Sequence, residues 1–139
     1  MTLHVELVSP ERILWTGEAQ MVICRTIQEG EVAFLTGHAP FVGALDVARV
    51  VVRPEEGGED ELVAVHGGFV EVSNDRVTIL SDVAELKGQI DVERARAAKD
   101  RAEEALRADA DDEDAQLALK RANLRLDIAG AQSSTAAAH

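Results

Sequence analysis

Basic side chains in the C-terminal third are the residues whose spacing could do chemistry. Arg94 and Arg101 are seven residues apart, which is two turns along one face of a helix. Arg121 and Arg125 are four apart with Lys120 beside them, and like charges at this spacing repel each other. Guanidinium groups so placed can bind a polyphosphate or an acidic protein segment. The alternative, which periodicity alone favours, is a set of exposed ion pairs with neighbouring acids.

The sequence contains no pattern typical of a catalytic or metal site. There is no glycine-rich phosphate loop, no dinucleotide fingerprint and no nucleophile elbow. The four histidines are scattered, and the single cysteine, Cys24, cannot make a zinc site. We therefore predict a non-catalytic chain with no metal site and no required cofactor. The enzyme alternative is a hydrolase that uses His38 or His66 with a nearby acid.

The first part of the chain has the composition of a β-sheet. Residues 1–88 contain 24 Val, Ile and Thr residues, whereas residues 89–139 contain four. Because β-branched side chains suit a pleated, half-buried surface, we predict an antiparallel β-sandwich or flattened barrel. The predicted strands are 3–7, 21–26, 32–35, 47–53, 61–66, 69–72 and 76–81. The predicted turns are at Gly17, 29–30, 37–40, 56–58, 67–68 and 74–75.

The second part has the composition of a helical hairpin. Alanine, the best helix former, rises from seven residues in 1–88 to 15 in 89–139. Asp91 is the predicted N-cap of a first helix that ends near Ala108. After an acidic link at 109–114, small and apolar residues recur every three or four positions and form an interhelical seam. The seam consists of Ala115, Leu119, Ala122, Leu126 and Ala129.

The two parts together predict an α+β fold, with a sandwich domain over 1–88 and a hairpin domain over 89–130. Gly130 is the predicted stop of the second helix, and 131–139 is predicted to be a disordered tail. Alanine seams bury little area, so we expect the hairpin to be marginally stable and able to exchange packing partners.

Charge and hydropathy exclude several classes of partner. The chain has 14 Lys and Arg against 26 Asp and Glu, a net charge of -12, so we expect no binding to nucleic acid or to an anionic lipid surface. No apolar run approaches the ~20 residues of a membrane-spanning helix, so we expect no direct lipid insertion. A single cysteine and the lack of a secretory signal are typical of a cytoplasmic protein. Residues 115–139 alone carry +2, which suits an acidic partner groove or docking on the chain's own sandwich.

Two long motifs connect this sequence to a known family. Residues 30–41, G-E-V-A-F-L-T-G-H-A-P-F, resemble the signature G-E-x-G-I-L-P-G-H-A-P-L. Residues 66–72, H-G-G-F-V-E-V, and 77–82, V-T-I-L-S-D, resemble its G-G-F-x-E-V and V-T-I-L-A-D. Ala33 and Thr36 depart from the usual Gly and Pro. From about Leu3 to Gly130 the chain resembles the epsilon subunit of bacterial F-type ATP synthases, which is called delta in mitochondria.

The resemblance implies a non-catalytic rotor subunit of the central stalk. Such a subunit binds the gamma subunit and the ring of c subunits, and couples proton-driven rotation to ATP synthesis in the catalytic alpha/beta head. It implies a hetero-oligomer held peripherally on the cytoplasmic face of the bacterial cell membrane. By their place in the first motif, Glu31 and His38 are the implied contacts with the c ring and gamma.

The resemblance also implies that the hairpin is a regulator. Folded against the sandwich it permits turnover, and extended along gamma it inhibits ATP hydrolysis. The residues implied to contact an acidic segment of the beta subunit are Lys120, Arg121 and Arg125.

A narrower resemblance implies ATP as a regulatory ligand of the folded hairpin. Residues 90–95, I-D-V-E-R-A, fit the pattern I/L-D-x-x-R-A of members that bind ATP. The implied ligands are Glu85, Ile90, Asp91, Arg94, Arg101, Arg121 and Arg125. For Asp91 two roles stay open, capping its helix and accepting a hydrogen bond from the adenine amino group. The alternative of another class is a stand-alone anion-binding sandwich module, which would not copurify with an ATPase.

Overall fold

Eight strands precede two helices in the part of the chain that the computed structural model describes, residues 2–54 and 58–130. The strands are β1 Leu3–Val8, β2 Ile13–Ala19, β3 Met21–Thr26, β4 Gly30–Phe34, β5 Phe41–Arg53, β6 Glu61–Ser73, β7 Arg76–Leu80 and β8 Ala84–Leu86. A 3-10 turn at Lys87–Gln89 leads into α1 Val92–Ala108 and α2 Glu113–Gly130. The predicted α+β fold, a sandwich followed by a helical hairpin, is confirmed.

The strands form a sandwich that does not close into a barrel. Their order is β2-β1-β7-β6-β5-β3-β4, with β8 paired to β6. One edge of β6 pairs with β5. The other edge pairs with β7 near the end of β6 and with β8 near its start, so this long strand connects both to the sheet. The prediction of antiparallel pairing holds except between β1 and β7, which run parallel.

Two glycine signals were wrong as turns. Gly17 lies inside β2, a strand that was not predicted. Gly67 and Gly68 have φ values of +87° and +129° but lie inside the continuous strand β6. A Cβ on Gly68 would come within 2.1 Å of the carbonyl oxygen of Leu80, so the close approach of β7 requires glycine there. Of the turn predicted at 56–58, residues 56 and 57 lie outside the described residues.

Aliphatic side chains fill the sandwich core. Leu3, Val5 and Leu7 are buried while their neighbours in β1 are half-buried, which is the period of two that the sequence predicted. In β6 the alternation separates two faces: Val63 and Val65 point into this core, and Leu62 and Ala64 point to the opposite side. That opposite side is where the hairpin docks.

The hairpin begins with the predicted cap. The Asp91 side chain accepts a hydrogen bond from the backbone N–H of Arg94 at 3.1 Å, and α1 ends at Ala108 as predicted. Asp112 Oδ1 accepts from the N–H of Ala115 at 3.0 Å and fixes the first turn of α2. Ala115 and Ala122 of the predicted seam are buried, and its other members are half-buried. The tail predicted at 131–139 lies outside the described residues.

Candidate functional site

A second apolar cluster fixes α2 on the sandwich. It joins Ile128 of α2 to Val51, Leu62 and Ala64 of β5 and β6. Leu124 packs against the same cluster one turn before Ile128, on a face of α2 distinct from the alanine seam. The sequence analysis did not single out these two residues, although their spacing of four was a usable signal.

Ion pairs surround this cluster and connect α2 to the sandwich. Arg125 Nε donates to Glu85 Oε1 of β8 at 2.6 Å, and Lys120 Nζ donates to Asp46 Oδ1 of β5 at 2.8 Å. Arg49 of β5 pairs with Asp127 of α2. Two of the three cations implied to contact the beta subunit are therefore bound to the chain's own sandwich when the hairpin is docked.

A cleft of about 510 Å³ opens where the two helices meet β8 and the 3-10 turn. Five of the seven predicted ATP ligands line it: Glu85, Asp91, Arg94, Arg101 and Arg125. The other two lie elsewhere. Ile90 packs against the second apolar cluster, and Arg121 is not a lining residue. Arg121 Nε is buried and has no hydrogen-bond partner among the described residues.

The arginines of α1 divide into two classes. Arg96 and Arg107 pair with Glu93 and Glu104, each three residues earlier, as local ion pairs would. Arg94 and Arg101, which line the cleft, have no ion-pair partner among the described residues. The interpretation as local pairs is therefore wrong for these two, and the cleft has unneutralised positive charge.

Both roles considered for Asp91 are compatible with its position. One carboxylate oxygen caps α1 while the residue also lines the cleft. Since an ionised carboxylate can accept several hydrogen bonds, capping leaves the second oxygen available to a ligand.

Glu85 is the acid of the cleft that interacts with both Arg125 and His66. Burial opposes its ionisation, but the hydrogen bonds and charges of Arg125 and His66 together outweigh burial, so the pKa of Glu85 is lowered from the ordinary 4.5. The same oxygen, Glu85 Oε1, lies 3.2 Å from His66 Nε2. Burial lowers the pKa of His66 from its ordinary 6.5 and Arg125 adds to the effect, which the hydrogen bond to Glu85 only partly offsets.

The residues predicted to contact the c ring and gamma lie outside the cleft. Glu31 is exposed on β4, opposite Arg25 of β3. His38 lies in the loop after β4, where its Nδ1 is 2.7 Å from the carbonyl oxygen of Ala39 and its ring packs edge-on against Phe34. These two contacts orient the His38 ring within its loop.

One exposed apolar surface was missed by the sequence analysis. Phe69 of β6 pairs in register with Leu80 of β7, and Val42 of β5 lies on the same face. These three residues, here called the apolar patch, are 57%, 45% and 71% exposed. Large apolar side chains that adjoin on a sheet surface are typical of a protein interface. The sequence signal for this surface was a large apolar residue at a position of each strand whose side chain points away from the core.

No helix among the described residues has the length and apolar character to cross a membrane. Likewise, no cluster of three or more His, Cys, Asp or Glu side chains suited to a metal ion occurs in the described ranges.

Comparison with known proteins identifies the family. Residues 2–87 match the beta-sandwich domain of the ATP synthase delta/epsilon chain, and residues 89–130 match its long alpha-helix domain. The ATP synthase epsilon chain of Halalkalibacterium halodurans is 48% identical over 133 residues, which cover 93% of this chain and 98% of that protein. That of Bacillus licheniformis is 49% identical over 131 residues, with coverage of 92% and 98%.

A solved structure shares the fold. A chain in the Euglena gracilis mitochondrial ATP synthase (OSCP/F1/c-ring in rotational state 1) superposes with a TM-score of 0.73 at 24% identity, covering 99% of this chain and 82% of that one. The sequence matches, which span both parts of the chain, decide the assignment. The chain therefore belongs to the delta/epsilon chain family of ATP synthases, as an epsilon chain and a non-catalytic subunit of that complex.

Proposed function

We propose that the sandwich couples rotation of a c ring to the catalytic head by binding the gamma subunit, on the cytoplasmic face of the bacterial membrane. Support comes from the family and from a related chain in a solved assembly whose title names F1 and the c ring. The apolar patch, formed by Val42, Phe69 and Leu80, suits the larger contact with gamma. Glu31 and His38 suit the polar loops of the c ring.

Copurification tests this coupling function. The chain should copurify with gamma and the catalytic subunits at one copy per three beta subunits. Added to a complex that lacks it, the chain should restore coupling between rotation and ATP synthesis. Phe69→Asp should weaken gamma binding by about tenfold or more, because burying a charge at an apolar interface costs well over 1.4 kcal/mol. Leu117→Asp, on exposed α2, is the matched control. Full binding by Phe69→Asp would exclude the patch, and a wild-type chain that leaves coupling unchanged would exclude the function.

We further propose that ATP binds the cleft and favours the docked hairpin. The observation that carries this proposal is the pair of unneutralised guanidiniums, Arg94 and Arg101, facing a cavity beside Arg125. Arg125 uses its Nε for Glu85, so its terminal nitrogens remain available for phosphate oxygens. A ligand that contacts both helices and β8 binds the docked state alone and stabilises it in proportion to RT ln(1 + [L]/Kd).

Calorimetry with the full chain tests nucleotide binding. Arg94→Ala and Arg101→Ala should each weaken ATP binding by about tenfold or more, because a charge-assisted hydrogen bond contributes about 1.5–3 kcal/mol. Arg96→Ala is the matched control, since Arg96 lies on the same helix but is paired with Glu93. Equal affinity in all three variants would contradict the proposed site.

The released hairpin is the proposed inhibitory state. Docking occupies Lys120 and Arg125 with sandwich acids and half-buries Arg121. Release frees all three cations together, and they can then bind an acidic segment of the beta subunit. Because the same cations serve both states, docking and inhibition exclude each other.

A further inference from the structure

His66 lies on the face of β6 against which α2 packs, beside β8. Leu62, Ala64 and His66 share one face of β6, and the first two pack against Ile128 of α2. The His66 side chain is 0% exposed, although it points toward the side of the sheet that would face water if α2 were absent. Arg121 and Arg125 of the docked α2 are close enough to His66 to affect its pKa, so the hairpin is among the elements that surround this buried imidazole.

The contacts of His66 define its protonation state. Glu85 is ionised and can only accept, so His66 Nε2 carries the proton of the 3.2 Å hydrogen bond. Its Nδ1 is buried and has no hydrogen-bond partner among the described residues. A second proton placed on Nδ1 would be a buried donor without an acceptor, on a ring that already faces the guanidinium of Arg125.

We propose that His66 is a positioning residue for Glu85 and, through it, for Arg125, so that the neutral imidazole favours the docked hairpin and the imidazolium favours its release. This inference rests on the proposed two-state function of the hairpin. Glu85 Oε1 accepts from both His66 Nε2 and Arg125 Nε, so one carboxylate oxygen joins β6, β8 and α2. A change of charge at His66 is therefore felt at the α2 contact directly.

The charges around His66 give the direction of the effect. Those that affect the pKa of His66 lie on β8 and α2: Glu85, Arg125 and Arg121. On β5, Arg49 is paired with Asp127 of α2. In the docked state burial and the α2 arginines lower the pKa of His66 below 6.5. Release exposes the ring and removes those arginines, so the pKa returns toward 6.5. The released state then binds more protons, and acid below about pH 6.5 favours release.

Single-molecule FRET on the full chain, without nucleotide, measures this equilibrium. Dyes are attached at Glu71→Cys on β6 and Asn123→Cys on α2, both exposed positions. Native Cys24 is buried, and burial raises its pKa to about 12, so it stays unlabelled. Between pH 7.5 and 5.5 the docked-to-released ratio should fall, by at most about tenfold per pH unit for one proton. Glu85 stays ionised throughout this range, since its pKa lies below 4.5.

The decisive variant is His66→Gln, which keeps an amide donor for Glu85 but cannot titrate. We expect it to dock at pH 7.5 and to show a flat pH profile, whereas His4→Gln, with its partner Glu18 far from α2, should keep the wild-type profile. A constant docked fraction in the wild type, or a wild-type profile in His66→Gln, would overturn the inference. So would ¹⁵N spectra that place the neutral proton on Nδ1. Failure of ATP to raise the docked fraction at pH 7.5 would contradict only the proposed nucleotide function.

Discussion

At the scale of single residues, the cleft is defined by which charges are left unneutralised. Arg96 and Arg107 each form an ion pair within one turn of α1. Arg94 and Arg101 form none among the described residues, and both line the cleft. A sequence pattern can place all four on one helix but cannot tell which acids their rotamers reach. The contact between Glu85 and His66 was equally hidden, because the two residues become neighbours only when β8 pairs with β6.

Glu85→Gln should weaken the docking of α2 without unfolding the sandwich. The substitution removes the charge that both Arg125 and His66 use, and a hydrogen bond to a charged group contributes about 1.5–3 kcal/mol. Hydrogen exchange should therefore speed up in α2 and at the β8 edge while β1 and β7 stay protected. Asp46→Asn is the matched control with a smaller effect, because its partner Lys120 is half exposed. Equal protection of α2 in Glu85→Gln and the wild type would contradict this role.

Gly68→Ala should destabilise the sandwich by more than about 2 kcal/mol, since the new Cβ would collide with the backbone of Leu80 as well as adopt an unfavourable φ. Gly30→Ala is the control: its φ is +72° but nothing lies within 4 Å of the added Cβ, so only the conformational cost of about 1 kcal/mol applies. Urea unfolding of both variants measures the difference. A smaller loss for Gly68→Ala than for Gly30→Ala would show that the β7 approach is not tight.

At the scale of elements, alternation and alanine content were sufficient for most of the architecture, and glycine was misleading. Glycine at position 17 predicts a turn, but the residue lies within β2, where a Cβ would come within 2.8 Å of the Trp15 ring. Gly68 serves the approach of Leu80 in the same way. Gly17 leaves room for the ring of Trp15, two residues earlier in the same strand, whereas Gly68 leaves room for a different strand. β8, with three residues, is too short to show any period. Helix ends were predictable because Asp91 caps α1 through a purely local hydrogen bond.

Ala122→Leu should disrupt the packing of α1 against α2. Ala122 is 0% exposed in the seam, and overpacking a filled interface costs about 1–3 kcal/mol. The expected result is a hairpin whose thermal unfolding separates from that of the sandwich, followed by circular dichroism at 222 nm. Ala118→Leu, at an exposed position of the same helix, should leave the transition unchanged. A single unchanged transition in Ala122→Leu would contradict the close seam.

At the scale of the whole molecule, the described chain consists of the sandwich of β1–β8, here called the body (residues 3–86), and the hairpin of α1 and α2, here called the arm (residues 92–130). The main core draws its buried residues from strands alone, whereas the second cluster needs α2. The arm is held by a small apolar contact and by ion pairs that are partly exposed, so its docking energy is modest beside that of the sandwich core. Such a difference in stability is what a conformational regulator requires.

Truncation after Leu86 should leave the sandwich folded and raise ATP hydrolysis by the assembled complex. The main core is intact in the shortened chain, but Val51, Leu62 and Ala64 become exposed and should lower its solubility. Circular dichroism and hydrolysis assays with reconstituted complex test both parts. Unchanged hydrolysis, with the truncated chain still bound to gamma, would show that the arm does not inhibit in this complex.

The position of β1 determines when the sandwich can be completed during protein synthesis. β1 lies between β2 and β7, with His4 opposite Arg76, so its parallel partner is made only after most of the sandwich has left the ribosome. Until then a nascent chain exposes Leu3, Val5 and Leu7 to solvent, and such non-local pairing is slow to form. Chaperone binding should therefore be strongest before β7 emerges, and the arm, translated later, meets a finished docking surface.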